Sequence, residues 1–201
     1  MNALNRIGMN KGWIYEVIVF TCSDIIPHVA PFGIWTQNFN TLMLNIYKDS
    51  TTLENILRDR EFSIHFPKDV SIFYKSLFDK DALGHGTTNH ISAPIPKDDS
   101  SFIDLEVCRT RDQEQTVYIE GGIVNLCVDK NIKLFNRAER LVLESLILAT
   151  KQAVYPKDLL KANLKENYRI IQKVAPNSNY IEMMAGILEQ INVFDPQINI
   201  S

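Results

Sequence analysis

The sequence predicts a mainly β fold with α-helices, in which a six-stranded β-barrel over residues 1–130 precedes a three-helix subdomain over residues 131–201. Runs of β-branched and aromatic residues occupy much of the first two thirds of the chain. Several of these runs alternate apolar with polar residues, which is typical of strands that bury one face. After Asp129 the apolar residues recur at helical spacing instead.

Three strands are predicted before residue 50. The run from Trp13 to Cys22 is short and lacks helical periodicity, which favours a mostly buried strand. His28 to Thr36 forms the second strand and contains Pro31 and Gly33, which weaken a ladder and mark an edge, a bulge or a close approach to the backbone. The third strand alternates Leu42, Leu44 and Ile46 with Met43, Asn45 and Tyr47.

Two short helices flank the fourth strand. Thr51 and Glu54 stand at the spacing of a capping box, so a helix begins near residue 51. Pro67 stops the fourth strand, and Asp69 can cap the second helix. The apolar positions are Leu53, Ile56 and Leu57 in the first helix, Phe62, Ile64 and Phe66 in the strand, and Val70, Phe73 and Leu77 in the second helix.

The last two strands follow a loop over residues 84–99 that is rich in Gly, Thr, Ser, Asp and Pro. Loops of this length in compact domains are often functional. Ile103, Leu105 and Val107 alternate in the fifth strand, and a turn lies at Asp112. Thr116 to Val128 returns as the sixth strand, with a bulge predicted at Gly121 and Gly122.

The three C-terminal helices are predicted from start signals and apolar faces. They begin near Asn136, at Pro156, and after Ser178 as a capping residue. Leu141 to Leu148 is apolar on nearly all sides, which predicts burial of the first of these helices. The other two carry Leu160, Leu164, Tyr168 and Ile171, and Ile181, Met184, Leu188 and Ile191.

Composition excludes several classes of protein. The formal net charge is -3 with no cluster of lysines or arginines, so we expect no nucleic-acid partner. The longest apolar stretches fall far short of the ~20 residues of a membrane span, so none is expected. The N-terminus lacks the pattern of a signal peptide, which favours the cytoplasm. Cys22, Cys108 and Cys127 are far apart and predict reduced, small apolar side chains rather than disulfides.

No hydrolytic motif, phosphate-binding glycine loop or metal-ligand motif is complete in the sequence. His85 and His90 share a loop with Asp81, but ordinary loop histidines explain them better than a surface metal. His28 and His65 are expected to be partly exposed, hydrogen-bonded strand histidines. We therefore predict no metal site and name no catalytic residue.

An anion site is predicted where the helix near residue 51 begins. Lys48, Ser50, Thr51 and Thr52 converge there, and the unpaired N–H groups and positive dipole end of a helix favour a phosphate. Simple capping explains one hydroxyl, whereas this segment offers three beside a lysine. These residues alone do not decide between a phosphate site and simple capping.

The second predicted strand offers a place for a flat ring. Its segment Ala30, Pro31, Phe32, Gly33, Ile34 and Trp35 has small residues that permit close approach of a heteroaromatic ligand to the backbone. An edge strand that Pro31 protects from aggregation explains the same segment. Trp35 and Phe32 equally fit core positions.

The order of these motifs resembles flavin-reductase-type split barrels. The matching segments are Gly12 to Glu16, Pro27 to Gly33, Ser50 to Ile56, Asn136 to Glu139 and Leu143 to Lys151. More closely, the chain resembles an uncharacterised prokaryotic family of FMN-binding split-barrel proteins with a C-terminal helical region.

The resemblance implies FMN as cofactor and a homodimer that holds FMN near its interface. Ser50, Thr51, Thr52 and Asn55 would then hold the phosphate, and residues 30–34 would line the isoalloxazine. Lys151 stands where the family pattern often has arginine, and it offers a point charge where arginine offers a bidentate fork.

The resemblance indicates the cofactor more specifically than it indicates the reaction. It implies an FMN-dependent oxidoreductase, with NAD(P)H as a partner in the reductases of the group. A non-catalytic module that uses flavin or its helices for binding or assembly is the alternative. Because flavin itself carries out electron transfer, neither interpretation requires a catalytic side chain.

Overall fold

The structure is a computed structural model, and it describes residues 3–24, 26–97, 101–129 and 132–191. The elements in chain order are α1 (Ala3–Arg6), β1 (Tyr15–Ser23), β2 (Ile26–Trp35), β3 (Thr41–Tyr47), α2 (Thr51–Asp59), β4 (Glu61–His65), α3 (Val70–Phe78), β5 (His85–Gly86), β6 (Ile95–Pro96), β7 (Phe102–Asp112), β8 (Thr116–Cys127), α4 (Ala138–Thr150), α5 (Lys157–Val174) and α6 (Asn179–Gln190).

Six antiparallel strands form a closed barrel in the order β1-β2-β3-β8-β7-β4. Side chains that alternate along the strands fill its interior, so that Leu42, Leu44 and Ile46 of β3 are fully buried. Met43 is nearly as buried, on the opposite face of the same strand. The predicted six-stranded barrel followed by three helices is confirmed.

The two glycines of β8 allow close packing of the strand, and they do not form the predicted bulge. The register between β7 and β8 shifts between Val107 and Arg109 and between Asp104 and Leu105, so Gly121 and Gly122 are both paired. A Cβ atom at Gly121 would lie 3.0 Å from the Phe62 ring and 3.2 Å from the Leu105 Cβ atom. The bulge predicted at the glycines is therefore displaced to their neighbours.

Helix α2 packs against β1, β2, β3 and β4, and α3 packs against β2. The apolar face predicted for α3 is wrong in part, because Val70 and Leu77 are exposed. Phe73, as predicted, contacts the cluster of Ile18, Phe20 and Val29 on the first two strands, and Ile72 does so as well. Phe73 also meets the Phe135 ring, with centroids 5.5 Å apart.

The segment predicted as one long loop contains the short antiparallel pair β5 and β6. Its end at residues 98–99 lies outside the described residues. The fifth predicted strand is β7, whose last residue is Asp112, where we predicted a turn, and which pairs with β8 up to that residue apart from the register shifts. Two of the cysteines predicted as buried fillers, Cys108 and Cys127, are exposed, and Cys22 is intermediate.

The chain divides into two compact units, one formed by residues 1–11 and 15–135 and the other by residues 12–14 and 136–201. The predicted boundary between a domain over residues 1–130 and one over residues 131–201 stays a prediction. Within the second unit, α4, α5 and α6 pack around Leu164, Ile171 and Met184, all fully buried.

Helix α4 buries one face, not its whole circumference. Val142, Ser145 and Leu148 are buried, but Leu143 is 59% exposed. The predicted burial of α4 is therefore correct for this face and wrong for the face that carries Leu143. Among the described residues, no helix is long and apolar enough to cross a membrane.

Candidate functional site

Strand β2 has an open edge over most of its length. It pairs with β1 from Ile26 to Ile34, but within the described part of the chain it pairs with β3 only at Ile34 and Trp35. Residues 26–33 therefore have no strand partner on the β3 side within the described part of the chain, and a ligand can reach the backbone where these residues are partly exposed. Pro31 contributes a carbonyl but no N–H group there.

The predicted ring segment lies on this open edge. Ala30, Pro31, Phe32 and Gly33 are partly exposed, whereas the Ile34 side chain is fully buried in the barrel. Ile34 can therefore meet a ligand through its backbone at most. The lining role of residues 30–34 stays a prediction.

The start of α2 provides the second half of the candidate site. Ser50, not Thr51, is the N-cap: its Oγ atom accepts from the Leu53 N–H at 3.3 Å and donates to the Tyr47 carbonyl at 2.8 Å. Thr51 and Thr52 are the first helical residues, and their N–H groups have no acceptor within the helix. The exposed Thr51 hydroxyl stands beside these amides. This set of donors fits a phosphate.

His28 joins the strand to the helix. Its Nε2 atom lies 3.1 Å from the Thr52 Oγ1 atom, and Thr52 is 2% exposed. Burial, and then the nearby charge of Lys80, lowers the pKa of His28 from its ordinary value of 6.5. This hydrogen bond therefore joins β2 to the first turn of α2, with the Lys80 charge near His28.

Asn55 lies on the buried face of α2. It is 2% exposed, and its Nδ2 atom donates to Thr21 Oγ1 at 3.0 Å and to Ser23 Oγ at 3.1 Å. These bonds fasten α2 to β1. In this arrangement Asn55 supports the helix, and its predicted contact with a phosphate stays untested.

The structure gives contacts for the two predicted lysines. The Nζ atom of Lys48 is 2.5 Å from the Asp112 carboxylate, and both side chains are largely exposed, so this ion pair contributes little stability. Lys151 caps the end of α4 in the helical unit, where its N–H donates to the Leu148 carbonyl. The structure does not test whether either lysine meets a ligand.

Sequence reasoning missed His28 and Lys80 as members of the site. A histidine on a strand gives no signal of its own, because the contact with Thr52 depends on how α2 folds back onto β2. His65, which we expected to be partly exposed, is 3% exposed and meets the Phe20 ring edge-on. Among the described residues, no group of three or more His, Cys, Asp or Glu could hold a metal ion.

Residues 15–128 match the family model described as protein of unknown function (DUF447), N-terminal domain, which covers the whole barrel. The fold resembles an FMN-bound protein from Methanosarcina mazei that carries the same family model, with 21% identity, a TM-score of 0.55 and coverage of 92% of this chain and 98% of that one.

Two flavoproteins from other organisms have similar folds. An NADH:FAD oxidoreductase from Streptomyces globisporus has 9% identity, a TM-score of 0.53 and coverage of 60% and 74% of the two chains. Flavoredoxin from Methanosarcina acetivorans has 16% identity, a TM-score of 0.50 and coverage of 58% and 69%. At these identities the likeness shows the fold, and the predicted flavin-reductase-like architecture is confirmed.

Proposed function

The chain belongs to the DUF447 N-terminal domain family, and from this premise we propose that it binds FMN and acts as a flavin-dependent oxidoreductase. The observation that carries the proposal is the contact of His28 with Thr52, which brings a ring-accepting strand edge beside a phosphate-accepting helix start. FMN has one flat ring system and one terminal phosphate. The FMN-bound relative from the same family supports this choice of cofactor.

The phosphate lies at the start of α2 in this proposal. The N–H groups of Thr51 and Thr52 and the Thr51 hydroxyl donate to its oxygens, and the helix dipole favours its negative charge. Lys80 adds a positive charge near His28, whose pKa it lowers after burial. Ser50 contributes indirectly, because its hydroxyl caps the helix and fixes the direction of the two amides.

The isoalloxazine lies along the open edge of β2. Backbone groups of residues 30–33 hydrogen-bond its polar edge, and the Pro31 and Phe32 side chains cover part of its apolar surface. Bound FMN supplies the transfer of a hydride or of electrons. The protein positions the ring and excludes water on the strand side.

The protein also forms a homodimer in this proposal. Four large apolar side chains of α3 support a partner surface, because Val70, Tyr74, Leu77 and Phe78 are between 53% and 72% exposed. The Tyr74 and Phe78 rings lie 5.1 Å apart and form one patch. Sedimentation velocity would show a species of about 46 kDa, twice the chain mass of 23.0 kDa. A monomer at all concentrations would contradict the dimer.

Cofactor binding is tested by titrating the purified protein with FMN and with riboflavin. We expect FMN to quench in fluorescence and to raise the melting temperature, since a ligand at about 100 times its Kd adds about 2.7 kcal/mol. Riboflavin, which lacks the phosphate, should bind more weakly. A protein that binds neither flavin would contradict the proposal.

Turnover is tested separately from binding. The FMN complex is mixed anaerobically with NADH or NADPH, and the visible absorbance of the flavin is followed. An oxidoreductase that uses a nicotinamide donor bleaches its flavin. Retained colour with both donors would favour a non-catalytic FMN-binding module or another electron donor.

A further inference from the structure

A second candidate site lies on the outer face of the barrel, where four strands run side by side. Trp35 pairs with Met43, Met43 with Glu120, and Glu120 with Arg109, so these residues form one row across β2, β3, β8 and β7. Side chains two positions apart share a face of a strand. Tyr118 therefore stands next to Glu120 on the same face.

This face forms a cleft of about 390 Å³, within the usual range for small-molecule sites. Its floor is Met43, which is 4% exposed. The Trp35 and Tyr118 rings form its aromatic side, with centroids 6.1 Å apart. The Glu120 carboxylate is fixed at one end, because its Oε1 atom accepts from the Thr41 hydroxyl at 2.9 Å.

Two guanidinium groups line the other side of the cleft. Arg111 pairs with Tyr118 in the sheet, two positions from Arg109 on the same strand. Burial first, and then the Glu120 carboxylate, raises the pKa of Tyr118, whereas the two arginines oppose that rise, so the charges of all three residues act on the Tyr118 hydroxyl. Neither arginine forms an ion pair with any of the residues that the structure describes.

We propose that this cleft binds a planar aromatic anion, with the ring against Trp35 and Tyr118 and the carboxylate or phosphate between Arg109 and Arg111. Arginine suits this role because its planar fork binds carboxylates and phosphates in a bidentate manner. The lining carries two positive charges and one negative charge, and the negative group is already engaged by Thr41. The aromatic pair selects for a flat ring over an aliphatic ligand.

Trp35 directly follows the segment proposed to receive the isoalloxazine. A ligand in the cleft would therefore lie near the flavin, as a substrate does. The role of that ligand as a substrate rests on the proposed function. The binding itself does not rest on the proposed function, because all the residues that line the cleft belong to this chain.

The test is a ligand-observed NMR titration of the full chain with benzoate and with phenyl phosphate, in the absence and presence of saturating FMN. Benzyl alcohol and acetate serve as probes that lack the charge or the ring. We expect both aromatic anions to bind, and Arg109→Gln or Arg111→Gln to weaken them about tenfold each. Arg169→Gln, which removes an exposed arginine paired with Glu166 on α5, should change the affinity less than about twofold.

Several results would overturn the proposal. Benzyl alcohol binding as tightly as benzoate would show a site without anion recognition. If both cleft variants bind the probes with unchanged affinity, or if FMN displaces the probes fully, the probes bind outside the cleft. No binding of either aromatic anion would show that the cleft is closed to small molecules. A protein that binds the probes but not FMN would leave this site intact and contradict only the cofactor proposal.

Discussion

The Nε2 atom of His28 lies 3.1 Å from the Oγ1 atom of Thr52, so the middle of β2 is tied to the first turn of α2. Each partner can donate or accept in this bond. If the Nε2 atom carries the proton, the Thr52 hydroxyl accepts from His28 and keeps its own proton for another acceptor. The bond thus sets both the position of the helix start and the direction of one hydroxyl.

Removing this bond should weaken FMN binding. His28→Leu leaves Thr52 without its partner, and we expect it to lose about tenfold in FMN affinity, equivalent to roughly one net hydrogen bond. His28→Gln places an amide near the position of Nε2 and should stay within about threefold of the natural protein. Fluorescence titration with FMN measures both variants. Equal affinity in the natural protein and His28→Leu would show that the contact has no part in the site.

The same histidine predicts a dependence of stability on pH. Its pKa in the folded protein is lowered, by burial first and by Lys80 second, so the unfolded chain binds a proton more readily. The stability that His28 contributes is therefore fully present above pH 6.5 and is lost as the pH falls through the folded-state pKa. We expect thermal melts between about pH 7.5 and about pH 5.5 to show a larger loss for the natural protein than for His28→Gln. An equal loss of thermal stability in the natural protein and in His28→Gln would contradict this assignment.

The phosphate should be recognised at Thr51 more than at Thr52. Thr51 is exposed, whereas Thr52 is buried and engaged with His28. Thr51→Ala should weaken FMN several-fold, about the loss of one hydrogen bond to a charged group, and leave riboflavin unchanged. Thr110→Ala, at another exposed threonine, is the matched control. Loss of riboflavin as well as FMN in Thr51→Ala would indicate damage to the fold.

Gly121 should be intolerant of a side chain. An added Cβ atom would lie 3.0 Å from the rigid Phe62 ring and 3.2 Å from Leu105. Because overpacking of this kind typically costs about 1–3 kcal/mol, Gly121→Ala should lower the free energy of unfolding by that amount. At Gly122 the added atom meets the Sγ atom of Cys108, an exposed side chain that can rotate away. The free energies of unfolding are measured by denaturant unfolding. A lower value for Gly122→Ala than for Gly121→Ala would contradict this prediction.

The barrel could be predicted from the sequence because alternation along a strand is local, as in Leu42, Leu44 and Ile46. The start of α2 was predicted within one residue, since Ser50 and Thr51 are both good caps and only the backbone decides between them. These features depend on residues that are near neighbours in the chain.

Contacts between distant segments could not be predicted in the same way. The ion pair of Lys48 with Asp112, for example, joins residues of different strand ends that are far apart in the chain. His28 meets Thr52 across 24 positions of the chain. The exposed face of α3 differs from the predicted one because its packing against β1 and β2 decides which residues are covered.

The central claim is that the start of α2 holds the phosphate of FMN while the open edge of β2 receives the ring. A crystal structure of the protein with FMN tests it most directly. We expect the phosphate within hydrogen-bonding distance of the Thr51 and Thr52 amides, and the isoalloxazine against the backbone of residues 30–33. Density for FMN at any other place, or an ordered protein with no flavin at saturating concentration, would contradict it.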